Sequence, residues 1–219
     1  HPGLMQASAA AERELGSTGA ILYRHHITLE DLITHIRFQM AKTRPEFARS
    51  PGLGGWRWTT ARACVSEARK LELDMEKDFA RSFQSSFSEF FRVVDMLPSL
   101  PEEIWPESLK GRWLKAVYEN LKEKMRADGL FSDGDIMREF TVGDPQSFNL
   151  PLLQSFDGLE LHGFTSLFPL QLKTLLHISK LKPLVFHFNY NPAADKDSSH
   201  PALELIRSIE KQARDLNVE

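Results

Sequence analysis

The side chains in this sequence that could carry chemistry are eight histidines, one cysteine, a glycine cluster and scattered carboxylates, and their spacing excludes more than it offers. His25 and His26 are adjacent, so on a strand their side chains would diverge to opposite faces. His162 and His187 fall in apolar runs with no ExxH partner nearby, and the spacing predicts surface or core histidines rather than a metal site. The lone Cys64 excludes an intrachain disulfide framework and a cysteine-rich zinc site, and it points to an intracellular, cytoplasmic setting. Gly52 to Trp56 (GLGGW) is glycine-rich but lacks the lysine of a phosphate loop and follows no strand, so it reads as a plain loop. GxSxG, HExxH and CxxC are absent, which removes the commonest serine hydrolase, zinc protease and dithiol chemistries. The residues alone assign no catalytic group, no metal and no cofactor.

Charge is concentrated in one stretch. Between Arg24 and Lys70, nine Lys or Arg stand against four Asp or Glu, a local excess of five in a chain whose formal charge is -3. Arg44, Arg49, Arg57 and Arg62 flank the loop that carries Trp56 and Trp58. Guanidinium groups for phosphates and an indole face for a base are what a single-strand or duplex-end contact uses. Arg44, Arg49, Arg57, Trp58 and Arg62 are therefore the candidate DNA contacts. The competing reading is a solvated face whose tryptophans pack the loop down.

Helices must position most of these groups. An alanine-rich helix over 3–15 and a short apolar strand over 20–23 open the chain. Thr28, with an acid three residues on, predicts a helix to about Lys42 whose stripe is Leu29, Leu32, Ile33 and Ile36. Further helices are predicted over about 60–71 and 74–97, the second with a phenylalanine stripe from Phe79 to Phe91 that reads as core. A helix over about 107–128 carries Leu109, Trp113, Val117, Leu121 and Met125 on one side, and Ser132 caps a short helix through Phe140. After about Asp144 the pattern changes to strand, helix, strand, helix: Leu159 to Phe164, Pro169 to Ser179, Leu184 to Asn189 and Pro201 to Leu216. That order means a parallel α/β unit. Two such units and one early strand cannot cover both faces of an independent doubly wound sheet, and the first residue is not Met. The chain is therefore expected to be an internal piece of a larger protein, with 219 residues of ordinary globular composition. No apolar run approaches the roughly 18 residues that a membrane helix needs.

The segment from Leu159 to Leu176 (LELHGFTSLFPLQLKTLL) resembles a frame found in superfamily-1 helicases of the UvrD and RecB kind. There an apolar strand ends in two acids that serve magnesium and the attacking water, followed by phenylalanine, a glutamine and a leucine-rich helix. In this chain His162 and Gly163 stand at the positions of the two acids, Phe164 matches the phenylalanine, and Gln171, Leu175 and Leu176 match the helix. Histidine does not replace a hard oxygen ligand for magnesium, so ATP hydrolysis is not expected. The chain resembles the AddB-type (RexB-type) subunits of bacterial helicase-nuclease complexes, in which a strand ending in a Gly-Phe-Thr turn stands where the ATPase motif would be. Arg24 to Ile36 is similar to the family's lead-in to a helical insertion, and Tyr118 to Arg138 to its exit.

The resemblance implies a predominantly helical α/β fold: a helical insertion subdomain (1B-like) and a partial parallel α/β core of the P-loop helicase type. Residues 1–23 would be a helix-strand piece of that core and 24–144 the insertion. Residues 145–219 would be the rest of the core, with His162 and Gly163 as degenerate Walker B-type positions. It further implies DNA binding and structural support in double-strand-break repair and recombination, within an ATP-dependent exonuclease and helicase-like parent. The partners implied are DNA (single-stranded or a duplex end), other domains of the parent chain and a helicase-nuclease partner subunit, with no membrane. Three alternatives stay open: a helical protein-interaction module without DNA contact, a working helicase fragment, and a metal-dependent hydrolase that uses histidines.

Overall fold

Thr28 opens the first helix by a reciprocal cap. Its hydroxyl accepts from the Asp31 backbone N–H, and the Asp31 carboxylate accepts from the Thr28 backbone N–H at 2.9 Å. The helix α1 that follows (Leu29–Thr43) buries Leu32, Ile33 and Ile36 of the expected stripe and Met40 beyond it, while Leu29 at its start is half-buried. The computed structural model of the chain describes residues 27–50, most of 62–70, 90–99, 104–188 apart from 149 and 155, and 201–216. The sequence-predicted helix over 3–15, the strand over 20–23, the loop with Trp56 and Trp58, and Phe79 to Phe87 lie outside the described residues.

After α1 the chain makes one 3-10 turn (Pro45–Ala48), which carries Phe47 into the core. Helical residues 62–64, 66–67 and 69–70 and a helical segment at 90–95 lead to α2 (Leu109–Ala127), capped by the Ser108 hydroxyl accepting from the Gly111 N–H at 3.1 Å. Trp113, Val117, Leu121 and Met125 are buried, as their spacing predicts; Leu109, expected on the same stripe, is exposed because it sits in the first turn beyond the packed face. Each of the four buried side chains contributes about 1.5–3 kcal/mol of apolar burial. They join Cys64, Phe91, Val94, Trp105 and Tyr118 in one helical core. Burial pushes the Cys64 thiol up to about 12, so it is an unreactive filler of that core.

The helix α3 (Asp133–Val142) has the Ser132 and Asp135 capping box, and α4 is a short turn of helix (Pro151–Gln154). The strand β1 (Leu159–His162), the helix α5 (Pro169–Ile178) and the strand β2 (Leu184–His187) form a parallel strand-helix-strand unit, and α6 (Pro201–Asp215) follows. Proline in the first turn of α5 costs no hydrogen bond, and the Gln171 side chain accepts from the Phe168 N–H at 3.0 Å. The described residues are therefore mostly helical, with one two-stranded parallel sheet. Leu159, Leu161, Leu184 and Phe186 pack toward a second core shared with α1 (Leu32, Ile36, Met40), Phe47, α3 (Ile136, Phe140) and α5 (Leu175, Ile178). That core runs without a break across residue 144. No described helix is long and apolar enough to cross a membrane.

Candidate functional site

Three polar constellations stand out, and they differ in what their atoms have left to offer. The first is the arginine corner after α1. Arg37, buried on α1, donates to the backbone carbonyls of Phe47 (3.3 Å), Arg49 (3.5 Å) and Phe131 (2.9 Å), and to the Asp133 carboxylate at 2.7 Å. A planar guanidinium with five donors suits this fan of acceptors, and it fixes the 47–49 turn against the start of α3. Arg44 caps the C-terminal end of α1, lies over the Phe47 ring with 4.2 Å to its centroid, and pairs with Glu46 (2.8 Å) and with Glu139. The hydrogen bond it donates to Glu46, then, against the burial penalty, the charges of Glu139 and Glu46, raise the Arg44 guanidinium above its usual range. Arg49 is exposed, with its guanidinium beside Gly129. Arg44, Arg126 and Arg138 face Asp135 and Glu139 around a cavity of about 260 Å³ floored by Phe47. Three cations against two carboxylates leave this hollow with one positive charge in excess.

Of the five residues picked from sequence as DNA contacts, Arg44 and Arg49 thus come to one corner. Arg62 is exposed on a separate helical segment, and Arg57 and Trp58 lie outside the described residues. Arg126, which shares the hollow, was not picked because α2 is about 80 residues away in sequence from Arg44.

The second constellation is buried. Lys122 on α2 donates to Asp95 (3.1 Å), the Ser132 hydroxyl (3.0 Å) and the Asp135 carboxylate (2.6 Å). Arg138 donates to Asp135 (3.0 Å), to the Asp95 carboxylate (3.1 Å) and to the Asp95 backbone carbonyl (2.8 Å). Asp95 also accepts from the Gly134 N–H at 3.2 Å. Burial works to raise the Asp135 carboxyl, but the Lys122 charge and the bonds from Lys122 and Ser132 outweigh it and hold the group down at about 2. With all three Lys122 N–H bonds spent on protein oxygens, this lysine is no free nucleophile or base. The group is a clasp that ties 90–95, α2 and α3.

The third lies at the carboxyl ends of the two parallel strands, where open α/β sheets bind ligands. Alternation puts Glu160 and His162 on one face of β1, and the register sets His162 opposite His187. Gly163 follows with φ of +76°, a left-handed conformation in which an acid would be strained. The backbone at this position thus favours a residue without a side chain. The juxtaposition of His162 and His187, 25 residues apart, carries no signal in local spacing; only the strand register creates it.

No family model, no curated protein and no solved structure matches the chain.

Proposed function

We propose that this chain is a DNA-binding and structural segment of an AddB/RexB-type helicase-nuclease subunit that acts in double-strand-break repair and recombination, and that it does not itself turn over nucleotide. The observation that carries this reading is the strand-turn-helix at residues 159–176. A strand directs Leu161 to the core, ends at His162, and turns through left-handed Gly163 into a helix capped by Gln171, with neither acid of a working ATPase. Support for DNA contact comes from the arginine corner, where Arg44 shares a hollow with Arg126 and Arg37 holds the backbone carbonyl of exposed Arg49. The parent would be an ATP-dependent exonuclease or helicase-like subunit, with this piece divided into core strand, 1B-like insertion and partial P-loop-type core as the resemblance implies.

The test is binding of the chain to a fluorescent duplex with a single-stranded tail at low and moderate salt, beside an Arg49→Ala, Arg57→Ala, Trp58→Ala variant. Affinity should fall with salt, and each arginine removed from a phosphate should lower the salt slope by about 1. Absence of binding at low salt would remove DNA as the direct partner. A second reading, a helical protein-interaction module, is favoured by one observation: Phe38 and Val142 are 62% and 84% exposed on α1 and α3. That module would show no salt-sensitive DNA affinity.

A further inference from the structure

We propose that Glu160, His162 and His187 form a binding site for a divalent first-row transition ion of the zinc class, on the exposed face of the strand pair. Among the described residues this is the one group of three or more His, Cys, Asp or Glu side chains whose ligand atoms converge, all lying within 4.8 Å of one another. The His162 and His187 Nε2 atoms lie 3.2 Å and 3.3 Å from the same Glu160 oxygen, Oε2. In a tetrahedral site with bonds of about 2.0–2.1 Å, neighbouring ligand atoms are about 3.3 Å apart, so these separations already suit an ion held between carboxylate and imidazoles.

The backbone supplies the alignment. Glu160 and His162 share a face by strand alternation, His187 is the register partner of His162, and the opposite face, Leu159, Leu161, Leu184 and Phe186, is packed on the core. The strands cannot slip by one residue without turning that apolar set to solvent, so the three ligands are held in register by the core itself. The two imidazoles are stacked, with centroids 4.0 Å apart and planes 7° from parallel. Both side chains are nearly half exposed, so they can swing out of the stack until their lone pairs converge, with no core packing disturbed.

The ligand chemistry selects the ion. Two neutral imidazoles and one carboxylate suit zinc, nickel or copper(II), whereas magnesium requires a set of oxygens. Three protein ligands leave a fourth position for water, the pattern of an open site rather than a closed structural one. The proposal is independent of DNA binding and is tested without DNA.

The experiment is titration of the chelator-stripped 219-residue chain with Zn²⁺ against a chromophoric competitor, and with Co²⁺ read by its visible ligand-field bands. The expected result is one ion per chain with a four-coordinate cobalt spectrum. His162→Ala, His187→Ala and Glu160→Gln should each weaken binding at least about 10-fold, the lower end of what loss of even an outer-sphere partner costs at metal sites. A His25→Ala, His26→Ala variant should bind as the parent does. Because the three ligands are exposed, circular dichroism of each variant should match the parent; if one alanine variant fails to fold, the Glu160→Gln titration decides. No zinc binding by the parent chain, binding that survives all three substitutions, or binding lost only with His25 and His26 would overturn the proposal.

Discussion

The clasp at Asp95, Lys122, Asp135 and Arg138 and the cluster at Glu160, His162 and His187 use similar side chains to opposite ends. In the clasp the Lys122 side chain is 7% exposed and every N–H of its ammonium is taken by a protein oxygen. In the cluster the side chains are 43–48% exposed and one carboxylate oxygen serves two imidazoles. Polar groups saturated by their own protein hold a fold together. Groups that converge while still open to solvent have coordination capacity to give to a ligand.

The sharpest way to break this contrast is Lys122→Ala. Removing the one ammonium that faces two buried carboxylates should cost about 3–5 kcal/mol in denaturant unfolding. A loss below about 1 kcal/mol would mean that the clasp is relaxed by solvent and that the contrast with the cluster fails. Next is Gly134→Ala, whose added Cβ would fall 2.1 Å from the Asp95 backbone carbonyl, so something rigid must move. Overpacking of this kind costs about 1–3 kcal/mol, and unfolding midpoints at constant slope would measure it.

Acid should act on the clasp and leave the cluster's strands in register. Asp135 is held at about 2 against an ordinary 3.8, so its stabilisation is whole above pH 3.8 and is lost as pH falls toward 2, about 2 kcal/mol in all. Half-buried His35 and buried His177 are held below the ordinary 6.5, first by burial and then by Lys42 and Lys180 respectively, so each favours the fold above pH 6.5 and loses that contribution on acidification below it. Stability measured against pH should therefore fall in two stages, and a Lys122→Ala chain should lack the lower one. The smallest effect belongs to the cluster: His187→Ala should change stability by less than about 0.5 kcal/mol while it weakens zinc binding at least about 10-fold. A large loss of stability there would make the stacked imidazoles a structural element after all.

How much of this was legible beforehand follows the range of the forces. Caps act over three residues, and Thr28, Ser108 and Ser132 open helices within two residues of where the pattern puts them. The strand-helix-strand unit was legible too, because Pro169 and the apolar runs around it are local signals. The clasp was not, since Asp95, Lys122 and Asp135 come from three segments and nothing in their neighbours' spacing marks them as partners. Nor was the cluster: the histidines looked scattered because their meeting depends on strand register. The Arg44 and Arg49 corner was half legible: the charge excess points to it, but a count of charges does not pair Glu46 with Arg44, and Glu139 reaches Arg44 across 95 residues.

The core that spans α1, α3 and α5 has a consequence for how the chain is made. Leu32, Ile36 and Met40 share their core with Phe47 close by and with Ile136 and Phe140, about 100 residues later in sequence. At a synthesis rate of about 5–20 residues per second, the apolar stripe of α1 waits roughly 5–20 s on the ribosome before the helix α3 that packs on it exists. During that interval α1 is a client for whatever shields nascent hydrophobic helices, and the strand pair with its histidine cluster joins that core later still.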